Sequence, residues 1–292
     1  MSFYTGRFAP SPTGPLHAGS LVAAMASYLD AKAHQGRWLL RMEDIDEPRT
    51  VAGSAKRICD ALAVLGMHWD DEVLWQSQRK SRYEAAFTRL GEHAYACSCS
   101  RKEIADSRTG VASDGAAIYP GTCRNGLAAG KTPRAWRLRV PEHAALEGVI
   151  QFDDRWLGYI TETLAESTGD FVLKRADGFW AYQLAVVIDD AEQGVTDVVR
   201  GADLLGSTTR QIYLQRVLQL PTPRYMHVPV VKNAAGEKLS KQTGASALDL
   251  NRPLEALMTA AASLGLVVPA AAGADLASFW DAAINAWSRR FV

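Results

Sequence analysis

From Arg7 to Ser20 the chain reads Arg-Phe-Ala-Pro-Ser-Pro-Thr-Gly-Pro-Leu-His-Ala-Gly-Ser, and few segments restrict a fold more tightly. A short extended run enters it, three prolines and a glycine turn it, and an apolar pattern at helical spacing opens at Leu21. The segment is therefore a strand, a loop and a helix N-terminus. Unpaired N–H groups and a positive dipole end gather at such a terminus, which makes it a ready anion site. Small Ala18, Gly19 and Ser20 leave room for a flat ring or a phosphate beside the backbone. His17 can donate to a phosphate oxygen, and Arg7 brings a fork suited to a carboxylate. On spacing alone, an ordinary strand-to-helix turn accounts for the segment as well.

A second stretch, Lys238-Leu239-Ser240-Lys241-Gln242-Thr243-Gly244-Ala245, sets two lysines three apart in a Gly- and Ser-containing loop. That is the pattern of a mobile phosphate clamp, or of a solvated loop. Together the two stretches resemble the HIGH and KMSKS signatures of class I aminoacyl-tRNA synthetases. With Arg41-Met42-Glu43-Asp44-Ile45-Asp46 between them, they are similar more narrowly to the glutamyl-tRNA synthetase branch. Three motifs in order are far more specific than any one.

At 292 residues the chain suits one large domain with an insertion or appendage. Thirty-two basic and 32 acidic side chains leave no net charge, which neither announces nor excludes a nucleic-acid partner, because only the local field at a binding face matters. No run approaches the roughly 18 apolar residues of a membrane span, so a soluble, untargeted protein is expected; a cytoplasmic setting and a monomer are separate expectations. Four cysteines in such a chain do not make a disulfide framework.

Leu21 to Gln35 carries a helical pattern with Gly36 as its cap, and Arg37 to Met42 is a strand, giving a βαβ unit and hence a parallel sheet. Ligands of such sheets lie beyond the carboxyl ends of the strands, where Glu43, Asp44 and Asp46 fall. Acids there can hold an ammonium group or simply solvate a turn. Helices are expected over Ala52–Leu65, with Cys59 in the core, and over Arg79–His93. A strand over Asp170–Arg175, a helix over Phe179–Ile188 ended by Asp189-Asp190, and a strand over Thr196–Gly201 follow. Gly206–Leu218 reads as a helix, Tyr225–Val231 as a last strand, and the Trp280- and Trp287-bearing tail as packed helices. Taken alone, Tyr182 is a half-buried aromatic and Arg200 a surface cation.

Cys97, Cys99 and Cys123 can converge on one tetrahedral zinc or stand as three reduced structural thiols, with His93 and Tyr119 both open as a fourth ligand. The resemblance favours Tyr119, since short glutamyl relatives carry Cys-x-Cys followed by Tyr-x-x-x-Cys. The expected fold is an α/β Rossmann-type nucleotide-binding parallel sheet with a zinc-containing insertion and a short helical C-terminal part. Residues 1–94 and 166–220 would be the halves of the catalytic domain, 95–165 the insertion, and 221–292 the lysine loop and helical region.

The resemblance implies a glutamate pocket of Arg7, Phe8, Ala9, Pro10, Ser11, Glu43, Tyr182 and Arg200. It implies an ATP site of His17, Gly19, Ser20 and Lys241, with His17, Lys238 and Lys241 serving the chemistry and Mg²⁺ accompanying ATP. A glutamyl-tRNA synthetase continues into a large anticodon-binding region, whereas about forty-five residues follow Ala247 here. That points to the glutamyl-Q tRNA(Asp) synthetase family, which activates L-glutamate without tRNA and transfers it to queuosine at the wobble position of tRNA(Asp). The alternatives are a truncated synthetase charging a tRNA 3′ end, a non-catalytic tRNA-binding paralogue, which intact Arg7, His17, Glu43 and Lys241 disfavour, and a ligase acting on a small molecule.

Overall fold

The computed structural model describes residues 3–112, 115–142, 145–231, 247–269 and 273–292. Lys238 and Lys241 lie outside the described residues. The chain runs through β1 (Thr5–Phe8), α1 (Ala18–Ala33), β2 (Arg37–Met42), α2 (Ser54–Val64), β3 (Asp70–Trp75), α3 (Lys80–Arg89), β4 (Ala94–Cys97) and α4 (Arg101–Ser107). It continues through β5 (Ala135–Leu138), β6 (Val149–Asp154), β7 (Gly158–Thr163), α5 (Leu164–Ser167), β8 (Val172–Lys174) and α6 (Tyr182–Glu192). The remaining elements are β9 (Asp197–Gly201), α7 (Leu205–Val217), β10 (Arg224–Val228), α8 (Pro253–Ser263) and α9 (Leu276–Phe291). Two compact units result, one of Met1–Ser77, Val195–Ala202 and Pro223–Val292, the other of Gln78–Gly194 and Asp203–Thr222.

In the first unit, β2 pairs in parallel with both β1 and β3, and β9 pairs in parallel with β10. β9 runs beside β1, where Thr196 N–H donates to Thr5 O and Thr5 N–H to Thr196 Oγ1, both at 2.9 Å. The lateral order is thus β3-β2-β1-β9-β10, and the connections reverse direction between β1 and β9. Such a switch point opens a crevice at the carboxyl ends of the strands. The parallel sheet expected from the βαβ pattern is present. β3, with three acids in six residues, has no apolar alternation and went unread; it is an edge strand whose acids reach water.

Helix α1 is buried nearly all round, from Leu21 to Ala31, because β1 and β9 cover one side and α8 and α9 the other. Its one deeply buried charge, Asp30, accepts from Tyr4 Oη at 2.5 Å and from Trp287 Nε1 at 2.9 Å. Trp280 Nε1 donates to Leu65 O at 3.0 Å, so both late tryptophans seat the tail helix on the domain core. Burying one such indole stabilises by about 2–3 kcal/mol.

Three local expectations are corrected. Gln35, not Gly36, takes the left-handed turn after α1, with φ 53°, whereas Gly36 is required because a Cβ there would stand 2.5 Å from Tyr4 O. Cys59 is only partly buried, on a rim of α2 rather than in the core. Asp189 and Asp190 do not end α6, which starts at Tyr182 and runs to Glu192; Asp189 is tolerated inside because Arg79 Nε and Tyr83 Oη donate to it at 2.7 and 2.8 Å.

In the second unit β5 pairs antiparallel with β4 and β8, β6 and β7 form an antiparallel hairpin, α3 packs on α6, and α7 on β6. The expected helix over Arg79–His93 is α3 between short 3₁₀ turns. No helix among the described residues is long and apolar enough to cross a membrane.

Candidate active site and cysteine cluster

Leaving β1, the backbone of residues 9–17 is tied to its surroundings at every second or third residue. Glu43 N–H donates to Pro10 O at 3.0 Å and Val51 N–H to Pro12 O at 2.9 Å. Gly14 N–H donates to Ser54 Oγ at 2.9 Å, and that hydroxyl donates back to Gly14 O at 2.7 Å. Gly14 has φ 149°, a region that disfavours a side chain, so glycine is needed where the loop meets α2. Leu248 N–H donates to Leu16 O at 3.1 Å, which brings the chain just after the lysine loop against the start of α1.

His17 is the N-cap of α1 in a reciprocal capping box: Ser20 N–H donates to His17 Nδ1 at 3.3 Å, and His17 N–H donates to Ser20 Oγ at 2.8 Å. With Nδ1 accepting, the ring proton sits on Nε2, which is the donor a phosphate oxygen needs. Ser20 spends its hydroxyl on the cap, donating also to His17 O, so its part here is to hold His17.

Five charged side chains are buried at the carboxyl end of the sheet: Arg7, Arg41, Arg200, Glu43 and Asp44. Arg7 on β1 and Arg200 on β9 are 4% and 5% exposed, Arg41 on β2 is fully buried, and Glu43 just beyond β2 is 9% exposed. Burying charge is expensive unless it is matched, so such a cluster marks a place built for a charged ligand. Arg41 Nη2 lies 3.5 Å from Glu43 Oε1 and steadies that carboxylate. Asp44 accepts from Ser77 N–H and Oγ at 2.8 and 2.6 Å, and Asp46 from Arg49 Nε at 2.6 Å, so each acid of this run has its own partner. Arg200 Nε donates to Nε2 of fully buried His227, its register partner on β10, at 3.2 Å. The guanidinium also lies 5.5 Å from the centre of the Tyr225 ring.

Phe8 is buried, Ala9, Pro10 and Gly19 are half-buried, and Ser11 is exposed on the same loop. Tyr182, half-buried, opens α6 in the second unit, whereas Arg7, Glu43 and Arg200 belong to the first. Two contributors went unread in the sequence. Ser54 looked like ordinary helix, and a single histidine in an apolar strand such as His227 carries no pattern.

The cysteines do meet. The sulfurs of Cys97, at the end of β4, Cys99 and Cys123 lie within 4.8 Å of one another, with Cys99 and Cys123 at 3.6 Å. Tyr119 Oη is 3.5 Å from the sulfurs of both Cys97 and Cys99 and accepts from Cys123 N–H at 2.9 Å. The Arg137 guanidinium caps the Tyr119 ring at 4.0 Å. Zinc–sulfur bonds of about 2.3 Å would place sulfurs ~3.8 Å apart in a tetrahedron, so three thiolates and a phenol at this spacing suit such an ion. Among the described residues no histidine or carboxylate joins the group, which removes His93 from the candidates. Burial works to raise the Cys123 thiol, yet hydrogen bonds from Tyr119 and from the Ser98 backbone and hydroxyl overcome it and bring it down to about 7. Burial, the Cys123 hydrogen bond and the neighbouring thiolate charges push Cys99 up to about 11, against the Tyr119 hydrogen bond. Burial and the three thiols raise Tyr119 as well.

Residues 4–270 match the family of class I tRNA synthetases (E and Q), catalytic domain. A glutamyl-Q tRNA(Asp) synthetase of Janthinobacterium sp. (strain Marseille) is 68% identical over 99% of this chain and 98% of its own. Among solved structures, a glutamate tRNA ligase of Elizabethkingia meningosepticum, in complex with its amino acid, superposes with TM-score 0.77 at 26% identity, over 97% of this chain and 64% of that one. A glutamate–tRNA synthetase of Elizabethkingia anophelis gives TM-score 0.71 at 30% identity, over 83% of this chain and 53% of that one. The present chain therefore spans between half and two thirds of those two solved chains. With a sheet of Rossmann order, an anion-ready helix mouth at its switch point and these matches, the chain belongs to the class I tRNA synthetases of the E and Q type, within the glutamyl-Q tRNA(Asp) synthetase family.

Proposed function

We propose that this protein activates L-glutamate with ATP, without tRNA, and transfers the glutamyl group to queuosine at the wobble position of tRNA(Asp). The observation that carries this is the 68% identity to a glutamyl-Q tRNA(Asp) synthetase along 99% of the chain. In the first step an α-carboxylate oxygen of glutamate attacks the α-phosphorus of ATP, a new P–O bond forms, and the bond to pyrophosphate breaks. In the second a hydroxyl of queuosine attacks the adenylate carbonyl, loses its proton, and AMP leaves.

Little covalent work falls to the protein, so positioning and charge carry the rate. Arg7 and Arg200, with Tyr182 and Ser11, receive the two carboxylates of glutamate, while Phe8, Ala9 and Pro10 wall the approach and Glu43 receives the ammonium. Glutamine in this pocket would leave an arginine poorly matched, which is a strong basis for rejection. His17 Nε2 and the N–H of Gly19 meet phosphate while Ser20 holds His17 in place, with the small residues admitting the nucleoside. Lys241 and Lys238 neutralise the departing pyrophosphate, and Mg²⁺ arrives with ATP to screen its charge. Zinc held by Cys97, Cys99, Tyr119 and Cys123 would be structural, stapling the insertion of residues 95–165. The halves of the catalytic domain, 1–94 and 166–220, and the region 221–292 with its lysine loop complete a monomer that works on tRNA in the cytoplasm.

The test uses radiolabelled glutamate, ATP and two tRNA(Asp) samples, one with queuosine and one with guanine at the wobble position. Label should appear only on the first, and after digestion to nucleosides should travel with queuosine. Equal label on both, travelling with the terminal adenosine, would overturn the acceptor and establish 3′ charging.

A further inference from the structure

Arg200 is one of the cations on which the glutamate pocket rests, and a guanidinium can meet a carboxylate along either of two edges. One edge combines Nε with a terminal nitrogen, and the other uses the two terminal nitrogens. We infer that His227 chooses between them: it is the positioning residue that occupies the Nε edge of Arg200 and turns the terminal pair toward the substrate carboxylate. The inference rests on the reading of Arg200 as a glutamate ligand.

Three observations carry it. His227 is fully buried on β10, directly opposite Arg200 in the parallel register of β9 and β10, so the pairing is set by the sheet and not by a loop. Its Nε2 lies 3.2 Å from Arg200 Nε. A guanidinium nitrogen can only donate, so the imidazole accepts there, which fixes the neutral tautomer with its proton on Nδ1. Third, Tyr225, two residues earlier and on the same face of β10, stacks its ring nearly parallel to that of His227, at 10° and 6.1 Å between centres, and lies under the Arg200 guanidinium at 5.5 Å. Arg200 is thus held in its plane by one ring and from below by another.

A neutral acceptor suits this place. A carboxylate at position 227 would neutralise Arg200 and compete with glutamate, whereas an imidazole orients the cation and leaves its charge for the ligand. An apolar side chain would remove the acceptor from Nε and with it the contact that fixes which edge of the guanidinium faces outward. The effect should therefore appear in glutamate binding and in discrimination against glutamine, with ATP binding spared.

The experiment is glutamate-dependent ATP–pyrophosphate exchange with the full-length protein, using H227L, H227Q, R200A and the double variant R200A/H227L. H227L should raise the glutamate KM by about ten-fold or more, as expected for losing a hydrogen bond to a charged group, with the ATP KM within about two-fold. H227Q, whose amide oxygen can accept at the position of Nε2, should recover a large part of that loss. In the R200A background H227L should leave the glutamate KM where R200A alone puts it, because the proposed effect on glutamate runs through Arg200. A general rise in both KM values, no rescue by glutamine, or equal effects of H227L with and without Arg200 would overturn the inference and leave a packing residue. If R200A itself left the glutamate KM unchanged, the reading of Arg200 would fall first, and the assignment of His227 with it.

Discussion

The loop from Arg7 to Ser20 and the cysteine cluster are both irregular segments, and they keep their shape by opposite means. The loop is tied through its own main chain: the backbone groups of Pro10, Pro12 and Leu16 bond to backbone on neighbouring segments and those of Gly14 to the Ser54 hydroxyl, while His17 and Ser20 cap each other. The cluster is held by side chains, with three sulfurs and a phenol oxygen crowded together. Thiolates at that distance repel one another unless a cation lies between them. A site that must receive and release ATP at every turnover is formed before its ligand arrives. A structural site can be formed by its ligand.

The largest effect is expected outside both segments, at a residue proposed to serve the same ATP chemistry as the loop. Lys241→Ala should reduce adenylate formation by about 10²–10³-fold, the usual scale for losing a charge stabiliser of the transition state. Pyrophosphate exchange should show it with the glutamate KM unchanged, and a matching loss of glutamate binding would remove that role. Stripping metal with a chelator should sharpen the contrast: elemental analysis should fall from about one zinc per chain to none. Hydrogen exchange should then quicken around Cys97–Cys123 while residues 7–20 keep their protection. Loss of protection in both places would break the comparison.

Ser54→Ala probes the loop from within. It removes both hydrogen bonds to Gly14 and should destabilise the protein by about 1–2 kcal/mol in chemical denaturation, with a rise of a few fold in the ATP KM. The smallest effect is on pH. With Cys123 held near 7, below the ordinary thiol value of 9.0, its contribution is present above pH 9 and lost as pH falls toward 7. With Cys99 held near 11, its contribution is present below pH 9 and lost as pH rises through 11. Metal-free protein should therefore be most stable near pH 9, and zinc should flatten that maximum; a monotonic profile of the metal-free form would contradict it.

Much of the first unit was legible because its signals are local. The prolines before α1, the helical period from Leu21 and the strand from Arg37 specify a βαβ unit without reference to anything distant. The Cys-x-Cys and Tyr-x-x-x-Cys spacings were legible too, as a pair of short motifs, although only the fold shows their sulfurs within bonding range of one ion. What stayed hidden depends on partners far along the chain. Asp189 looks like a helix stop until Arg79 and Tyr83 are seen beside it. Cys59 looks like core until the solvent side of α2 is known. Ser54 is 40 residues from Gly14 and His227 is 27 from Arg200, and neither separation leaves a periodic trace.

The seating of Trp287 on Asp30 spans 257 residues, and it sets an order of events during synthesis. Helix α1 is synthesised long before β9, α8 and α9, which cover it. Until those elements emerge, the apolar sides of the nascent helix have no native cover, and the loop that leads into it lacks the walls that hold its far end in place.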